Sequence, residues 1–245
     1  MADPDPQGLA FDTLAEDYDL GRPPWPPEML SDIRGDAALD LAAGTGKLTR
    51  LLVGRFHDVT AVEPLAGMRA VLERNVPEAT VVAGSAERIP LDDCSVDAAF
   101  VAEAFHWFDT TVAARELARV LRRRGTLLIC FNDWLEVRPA LPDDVRRSLR
   151  EVWAELPPPG GPKVATGAWR LGFADAPFSP LVEHEYRHTW HASGEQLAAY
   201  YVSTSSMGAL DPGARDALRA KLVEQLGPGP YAFDVAAHAF RTERT

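Results

Sequence analysis

The sequence predicts an α/β fold built on a sheet of seven strands, mostly parallel, with helices on both faces and an antiparallel last strand. Between Ala37 and Phe131 short apolar runs alternate with amphipathic stretches, the pattern of consecutive βαβ units. The first of those runs, ALDLAAGTGKLT at Ala38 to Thr49, turns through two glycines into a helical stretch, the arrangement that brings a ligand against backbone amides. With 245 residues, 46% of them hydrophobic, the chain has enough apolar material for one substantial core.

Taken in order, Leu9 to Leu20 and Pro26 to Ile33 read as short helices separated by GRPPWPP. Strands are expected at Ala37 to Ala42, Asp58 to Glu63, Ala79 to Ala83, Val96 to Ala102 and Thr126 to Phe131. Helices fit between them at Gly46 to Gly54, Pro64 to Asn75 and Asp109 to Arg124, the last with Val112, Leu117, Val120 and Leu121 spaced for one buried face. A helix from Asp143 to Leu156 is stopped by the loop PPPGGP. A strand at Val182 to Trp190 precedes a Ser193-capped helix through Ser203, a helix at Pro212 to Leu226, and a last strand near Tyr231 to Phe240.

Composition excludes several classes. A formal net charge of -11 would repel a phosphate backbone, so nucleic acid is not expected as a partner. The densest basic cluster, Arg115, Arg119, Arg122, Arg123 and Arg124, reads as a solvated helix end where cations complement the dipole. No apolar run approaches the roughly 18 to 20 residues that span a bilayer, and the first residues lack the pattern of a signal peptide, so a cytoplasmic protein without membrane attachment is expected. Cys94 and Cys130 lack metal or disulfide spacing and read as ordinary buried or half-buried thiols. His184, His188 and His191 have no accompanying carboxylate or cysteine pattern, and no metal is expected.

The glycine loop fails two nucleotide motifs. A dinucleotide fingerprint wants a third glycine or alanine where Thr49 stands, and a P-loop wants Ser or Thr after Lys47, where Leu48 stands. Asp40, inside the strand before the turn, would repel a pyrophosphate but suits the ammonium of an amino-acid ligand, which favours S-adenosylmethionine over NAD. Its alternative is a turn cap with no ligand. Glu63 ends the second strand about 20 residues later, where a carboxylate can take two hydrogen bonds from ribose hydroxyls.

Five segments in order, AEDYDLGRPPWP, LDLAAGTGKLTR, VTAVEPLAGMRA, AGSAERIPLDDCSVDAAFVAEAFHWFD and ARELARVLRRRGTLLICFN, resemble class I S-adenosylmethionine-dependent methyltransferases. The similarity is to the small-molecule group of trans-aconitate-type and methyltransferase type 11 enzymes, which have a Rossmann-like fold. It covers roughly residues 11 to 132, about half the chain. The resemblance implies that Asp40, Ala42, Gly44 and Gly46 surround the methionine moiety and that Glu63 binds the ribose. It places Pro64 and Met68 against the adenosine, Ala86 and Glu87 at the adenine edge, and Ala102 and Glu103 beside the sulfonium. Tyr18 and Arg22 would cover the methionine carboxylate as a lid. The chain departs from the family at Ala43, where a large residue or cysteine is common, and at Gly21, where an aromatic is common; a small residue there would give Arg22 more freedom. One domain over residues 1–245 is expected, with a helical lid at 1–35, a cofactor half at 36–132 and an acceptor half with a helical insertion at 133–245.

The expected reaction is methyl transfer to a small-molecule acceptor, with S-adenosylhomocysteine as product. His106 is the candidate general base, or else a structural histidine, while Trp107 and Phe108 read as core. Tyr200, Tyr201 and Met207 either close over the acceptor or simply pack. Trp134, Trp153, Trp169, Phe173 and Phe178 favour an apolar or ring-bearing acceptor. The rival assignments are a non-catalytic or repurposed S-adenosylmethionine binder and a nucleoside-binding oxidoreductase, against which the absent third glycine and Asp40 both count.

Overall fold

The computed structural model describes residues 10–133, 141–156 and 164–245; the PPPGGP loop, Trp134 and the chain start through Leu9 lie outside them. Seven strands, β1 (Ala37–Leu41), β2 (Asp58–Val62), β3 (Thr80–Val82), β4 (Val96–Ala102), β5 (Leu121–Asp133), β6 (Val182–Ala192) and β7 (Tyr231–Glu243), form one sheet in the order β3-β2-β1-β4-β5-β7-β6. The pairs β1/β2, β2/β3, β1/β4 and β4/β5 are parallel, as the βαβ patterning predicts, and β5/β7 is antiparallel, as the expected fold class has its last strand. The helices are α1 (Ala15–Gly21), α2 (Thr49–Leu52), α3 (Ala66–Asn75), α4 (Thr110–Val120), α5 (Asp143–Glu155), α6 (Gly194–Val202) and α7 (Pro212–Leu226). None among the described residues is long and apolar enough to cross a membrane.

The chain divides into two compact units. The larger comprises Trp25–Asp133, Pro162–Arg187 and Ala236–Thr245. Its strands alternate inward on both faces, so each face builds its own core. On one, Leu39, Leu41, Ala99, Val101, Leu127 and Ile129 meet Ala113, Leu117 and Val120 of α4, together with Phe105 and Trp169. On the other, Ala38, Ala98, Phe100, Leu128 and Cys130 meet Trp25, Met29, Leu30, Leu48 and Leu52. The smaller unit comprises Met1–Pro24, Trp134–Gly161 and His188–Val235, and its core gathers Val145, Leu149, Trp190, Leu197, Leu222 and Val235. There α6 begins with a full capping box, Ser193 and Gln196 bonding each other's backbone amides.

Several expectations are corrected. The helix expected at Asp109 to Arg124 ends at Val120, and the arginines after it enter β5. Val112 is exposed, because the buried stripe runs through Ala113, Leu117 and Val120. The chain leaves the helix where Leu121 pairs with Val96 and Arg122 forms an ion pair with Asp97 at 2.6 Å. Arg119 is no solvated helix end, for all five of its donors are engaged. The helix expected at Gly46 to Gly54 shortens to Thr49–Leu52, since Gly46 holds a left-handed φ of 86°. Leu9 to Leu20 divides into a 3-10 turn at Ala10–Leu14 and α1, Pro26 to Ile33 is a 3-10 turn at Pro27–Leu30, and further 3-10 turns at Phe105–Trp107, Ala168–Phe173 and Ser205–Ala209 have no periodic signature. Cys94 is exposed because it sits in a left-handed turn, whereas Cys130 is buried in the sheet.

Candidate functional site

Strand order fixes where a ligand can enter the larger unit. From β1 the chain proceeds outward through β2 and β3, then returns to β4 on the other side of β1. Loops leaving β1 and β4 therefore diverge, and the crevice at their carboxyl ends is where open α/β sheets bind ligands. The segments that follow β1, β2, β3 and β4 carry Ala42 to Gly46, Glu63 and Pro64, Ala86 and Glu87, and Glu103 to His106, so three of the five segments noted in the sequence converge there.

Asp40 is the electrostatic centre of this end. It is fully buried, with Oδ2 accepting a 2.6 Å hydrogen bond from the Thr49 hydroxyl and Oδ1 buried without a partner. Burial, reinforced by the charge of Glu63 and opposed by the Thr49 bond, raises its pKa from 3.8 to about 7. A buried carboxylate with an unused oxygen is poorly solvated by the protein alone and is stabilised by an incoming cation. Thr45, in the glycine loop, adds a second buried and unpartnered oxygen. Thr49 escaped sequence reasoning; the Asp-to-Thr separation of nine residues across a turn is its only signal.

Glu63 organises the glycine loop. Its Oε2 accepts from the Gly44 amide and its Oε1 from the Leu65 amide, both at 2.9 Å, so one carboxylate joins the turn after β1 to the turn after β2. Ala42 and Gly44 both hold left-handed φ values, 55° and 58°, and a Cβ on Gly44 would meet nothing within 4 Å. The loop thus presents an open backbone face, a cradle that a side chain would fill. Met68 is buried and Pro64 is exposed.

After β3, Ala86 is buried and Glu87 is exposed, with Oε1 accepting from the Asp109 amide at 3.1 Å. An open cleft of about 560 Å³ lies beside this segment against Gly84, Ser85, Arg88, Ile89 and Pro90 and does not include Asp40 or Glu63. After β4, Ala102 is half-buried and Glu103 adopts a left-handed φ of 56°, its Oε1 accepting from the Asn132 amide at 2.7 Å. His106 is half-buried in the 3-10 turn, between the rings of Trp107 at 5.0 Å and Phe131 at 5.7 Å. Burial lowers its pKa to about 4, and its Nδ1 is buried without a partner. Among the described residues no group of three or more His, Cys, Asp or Glu is placed to hold a metal.

Tyr18 and Arg22 belong to the smaller unit. Gly21 does not loosen Arg22 as expected: a Cβ there would lie 2.2 Å from the Tyr200 amide nitrogen, so glycine permits the close approach of α1 to α6. Arg22 itself is held between the rings of Tyr18 and Tyr200 at 4.7 and 5.0 Å and donates to the Ser203 carbonyl at 3.0 Å. Tyr201 and Met207 are buried in that unit's core, which is packing. Likewise Trp169, Phe173 and Phe178 pack around Phe105 in the larger unit rather than forming a free aromatic surface.

Comparison with known proteins bears on the family and the fold. Residues 39–129 match the family model described as a methyltransferase domain. An uncharacterized methyltransferase of Mycobacterium tuberculosis (strain ATCC 25618 / H37Rv) is 48% identical over 127 residues, 51% of this chain and 52% of the relative, so the chain spans about half the length of that relative. An uncharacterized methyltransferase-like protein of Schizosaccharomyces pombe is 33% identical over 198 residues, 73% of this chain and 75% of its own length. Among solved structures, a protein assigned as a type II methyltransferase from Anaeromyxobacter dehalogenans superposes with a TM-score of 0.62 at 24% identity, over 91% of this chain and 97% of that one. At that identity the likeness is one of fold.

Proposed function

We propose that this chain, which belongs to the class I S-adenosylmethionine-dependent methyltransferases, binds the cofactor at the carboxyl end of β1 to β4 and methylates a small-molecule acceptor. The observation that carries the cofactor assignment is Asp40, whose unpartnered buried oxygen and raised pKa suit a ligand ammonium and not a phosphate. The residues present fit the group. Gly44 presents a bare backbone face for the methionine moiety beside Ala42, Gly46 lets the loop pack closely on Leu72, and Glu63 would accept from ribose hydroxyls while it holds the loop. Met68 and Pro64 would flank the adenosine, Ala86 and Glu87 its base, and Ala102 and Glu103 the sulfonium, while Tyr18 and Arg22 are included on the family resemblance alone. When bound, the cofactor supplies an electrophilic methyl group that an acceptor nucleophile takes by in-line displacement, with S-adenosylhomocysteine as product. Tested directly, the protein incubated with methyl-labelled S-adenosylmethionine and a cytoplasmic small-molecule extract should form S-adenosylhomocysteine and a labelled small molecule. Binding without product would leave a cofactor-binding protein and remove the transferase assignment. The net charge of -11 supports an acceptor other than nucleic acid.

Proton linkage gives a quantitative consequence. Asp40 is about half protonated at pH 7, and a bound ammonium favours its ionised form, so binding expels a proton. Calorimetry in buffers of different ionisation enthalpy should show release of about half a proton at pH 7 and nearly one at pH 6, with affinity falling as pH drops below about 7. Release independent of pH between 6 and 8 would contradict the contact with Asp40.

Burial keeps His106 in its neutral form through the neutral range, so it can accept a hydrogen bond from an acceptor hydroxyl or amine at any working pH. His106→Asn should leave S-adenosylhomocysteine affinity within about twofold while lowering kcat by about 10- to 100-fold with such an acceptor. An unchanged kcat would remove the role and point to an acceptor that arrives already ionised, as a carboxylate does.

A further inference from the structure

The loop assigned to the nucleobase is anchored by residues to which the family resemblance gives no cofactor contact. Arg119 of α4 forms a two-pronged pair with Glu116, Nε to Oε1 and Nη2 to Oε2, both 2.8 Å. Its remaining donors reach into the loop after β3: Nη1 to the Leu91 carbonyl at 2.7 Å and to Asp93 Oδ1 at 2.8 Å, and Nη2 to the Ile89 carbonyl at 2.8 Å. Glu116 Oε2 meanwhile accepts from the Ile89 amide at 2.9 Å. The backbone donor and acceptor of Ile89 are therefore both held by one ion pair, three residues beyond Ala86. Ile89 is itself buried in the same core cluster as Ala86 and Leu117. At the other end of the segment Glu87 accepts from the Asp109 amide, just ahead of α4. The loop has an Arg88 to Ser85 backbone bond but is only a turn, so its position depends on α4. Its Arg119 hydrogen bonds hold the Glu116 carboxyl below its ordinary value, so the clamp stays charged at working pH.

We infer that Glu116 and Arg119 are positioning residues that set the distance and angle of the Ser85 to Ile89 segment against the cofactor's nucleobase, and so determine selectivity for adenine. This rests on the cofactor assignment above. An exposed ion pair contributes little to stability, but a guanidinium that spends two donors on Glu116 and three on residues 89–93 fixes backbone geometry. Selectivity between an amino and an oxo substituent on a purine depends on donors and acceptors held within a few tenths of an ångström, because a misplaced group is left unpaired.

The test compares S-adenosylhomocysteine with S-inosylhomocysteine, which differs only at the base edge, by equilibrium titration of the full chain. Wild type should prefer the adenosyl compound by about 100-fold, and Glu116→Gln, which cannot accept from Ile89 and Arg119 with both atoms, should reduce that preference to below about tenfold. Arg119→Lys should act in the same direction. Asp97→Asn serves as the control: Asp97 holds the Asp36 and Ala37 amides and Arg122 at the opposite end of the sheet, so its loss lowers stability but should leave the preference intact. Full preference retained in folded Glu116→Gln and Arg119→Lys would overturn the inference while the cofactor assignment stood. An equal loss of preference in Asp97→Asn would overturn it as well, by tying selectivity to general stability. No binding of either compound by wild type would remove the assignment and the inference together.

Discussion

Asp40→Asn is expected to melt at a higher temperature than wild type above pH 7 and to lose nearly all affinity for S-adenosylmethionine. The folded protein raises the Asp40 pKa from 3.8 to about 7, so the native state binds more protons than the unfolded state between those values. Stability from this group is intact below the unfolded pKa, falls as pH rises toward 7, and is lowest above it. The difference corresponds to about 4 kcal/mol at full ionisation. Asparagine still needs its amide desolvated, so a net gain of about 1 to 2 kcal/mol is expected, roughly 2 to 8 °C in a chain of this length. Binding should move oppositely. Without the charge-assisted contact to the ligand ammonium, affinity should fall by about 100-fold or more, about 3 kcal/mol. Thermal scans at pH 5 and pH 8, with and without ligand, measure both. A variant less stable than wild type at pH 8 would show that Asp40 is a structural carboxylate satisfied by the protein itself.

Glu63→Ala should be the more damaging substitution, because it removes a ligand contact and the connection between two loops. Glu63 is 4% exposed, and its loss leaves the Gly44 and Leu65 amides without their acceptor. Affinity for S-adenosylhomocysteine should drop at least about 100-fold, and stability by about 2 to 3 kcal/mol from the two unpaired donors. Glu63→Gln keeps one carbonyl acceptor and should lose less of each. Wild-type affinity in a folded Glu63→Ala variant would exclude the ribose contact.

These two residues were legible in the sequence because their signals are local: an acidic residue at the end of an apolar strand, followed by glycines or separated by one βα unit. The strands from β1 to β5 and their parallel sheet followed from the same alternation. What the sequence did not reveal depends on partners far along the chain. Arg119 looked like part of a solvated basic helix end, yet its partners Ile89, Leu91 and Asp93 lie 26 to 30 residues away. Gly21 suggested freedom for Arg22, whereas its meaning is a helix contact with Tyr200, about 180 residues on. The 3-10 turns at Phe105–Trp107 and Ala168–Phe173 were hidden because turns of three and six residues are too short to show a hydrophobic period, and with them the core role of Trp169 and Phe173.

The central claim is a cofactor site built on Asp40 and Glu63, and calorimetric titration of the purified chain with S-adenosylhomocysteine tests it most directly, alongside Asp40→Asn and Glu63→Ala. Micromolar binding by wild type, on the order of 8 kcal/mol, lost in both folded variants, is the predicted result. No binding by folded wild type, or equal binding by all three proteins, would contradict it.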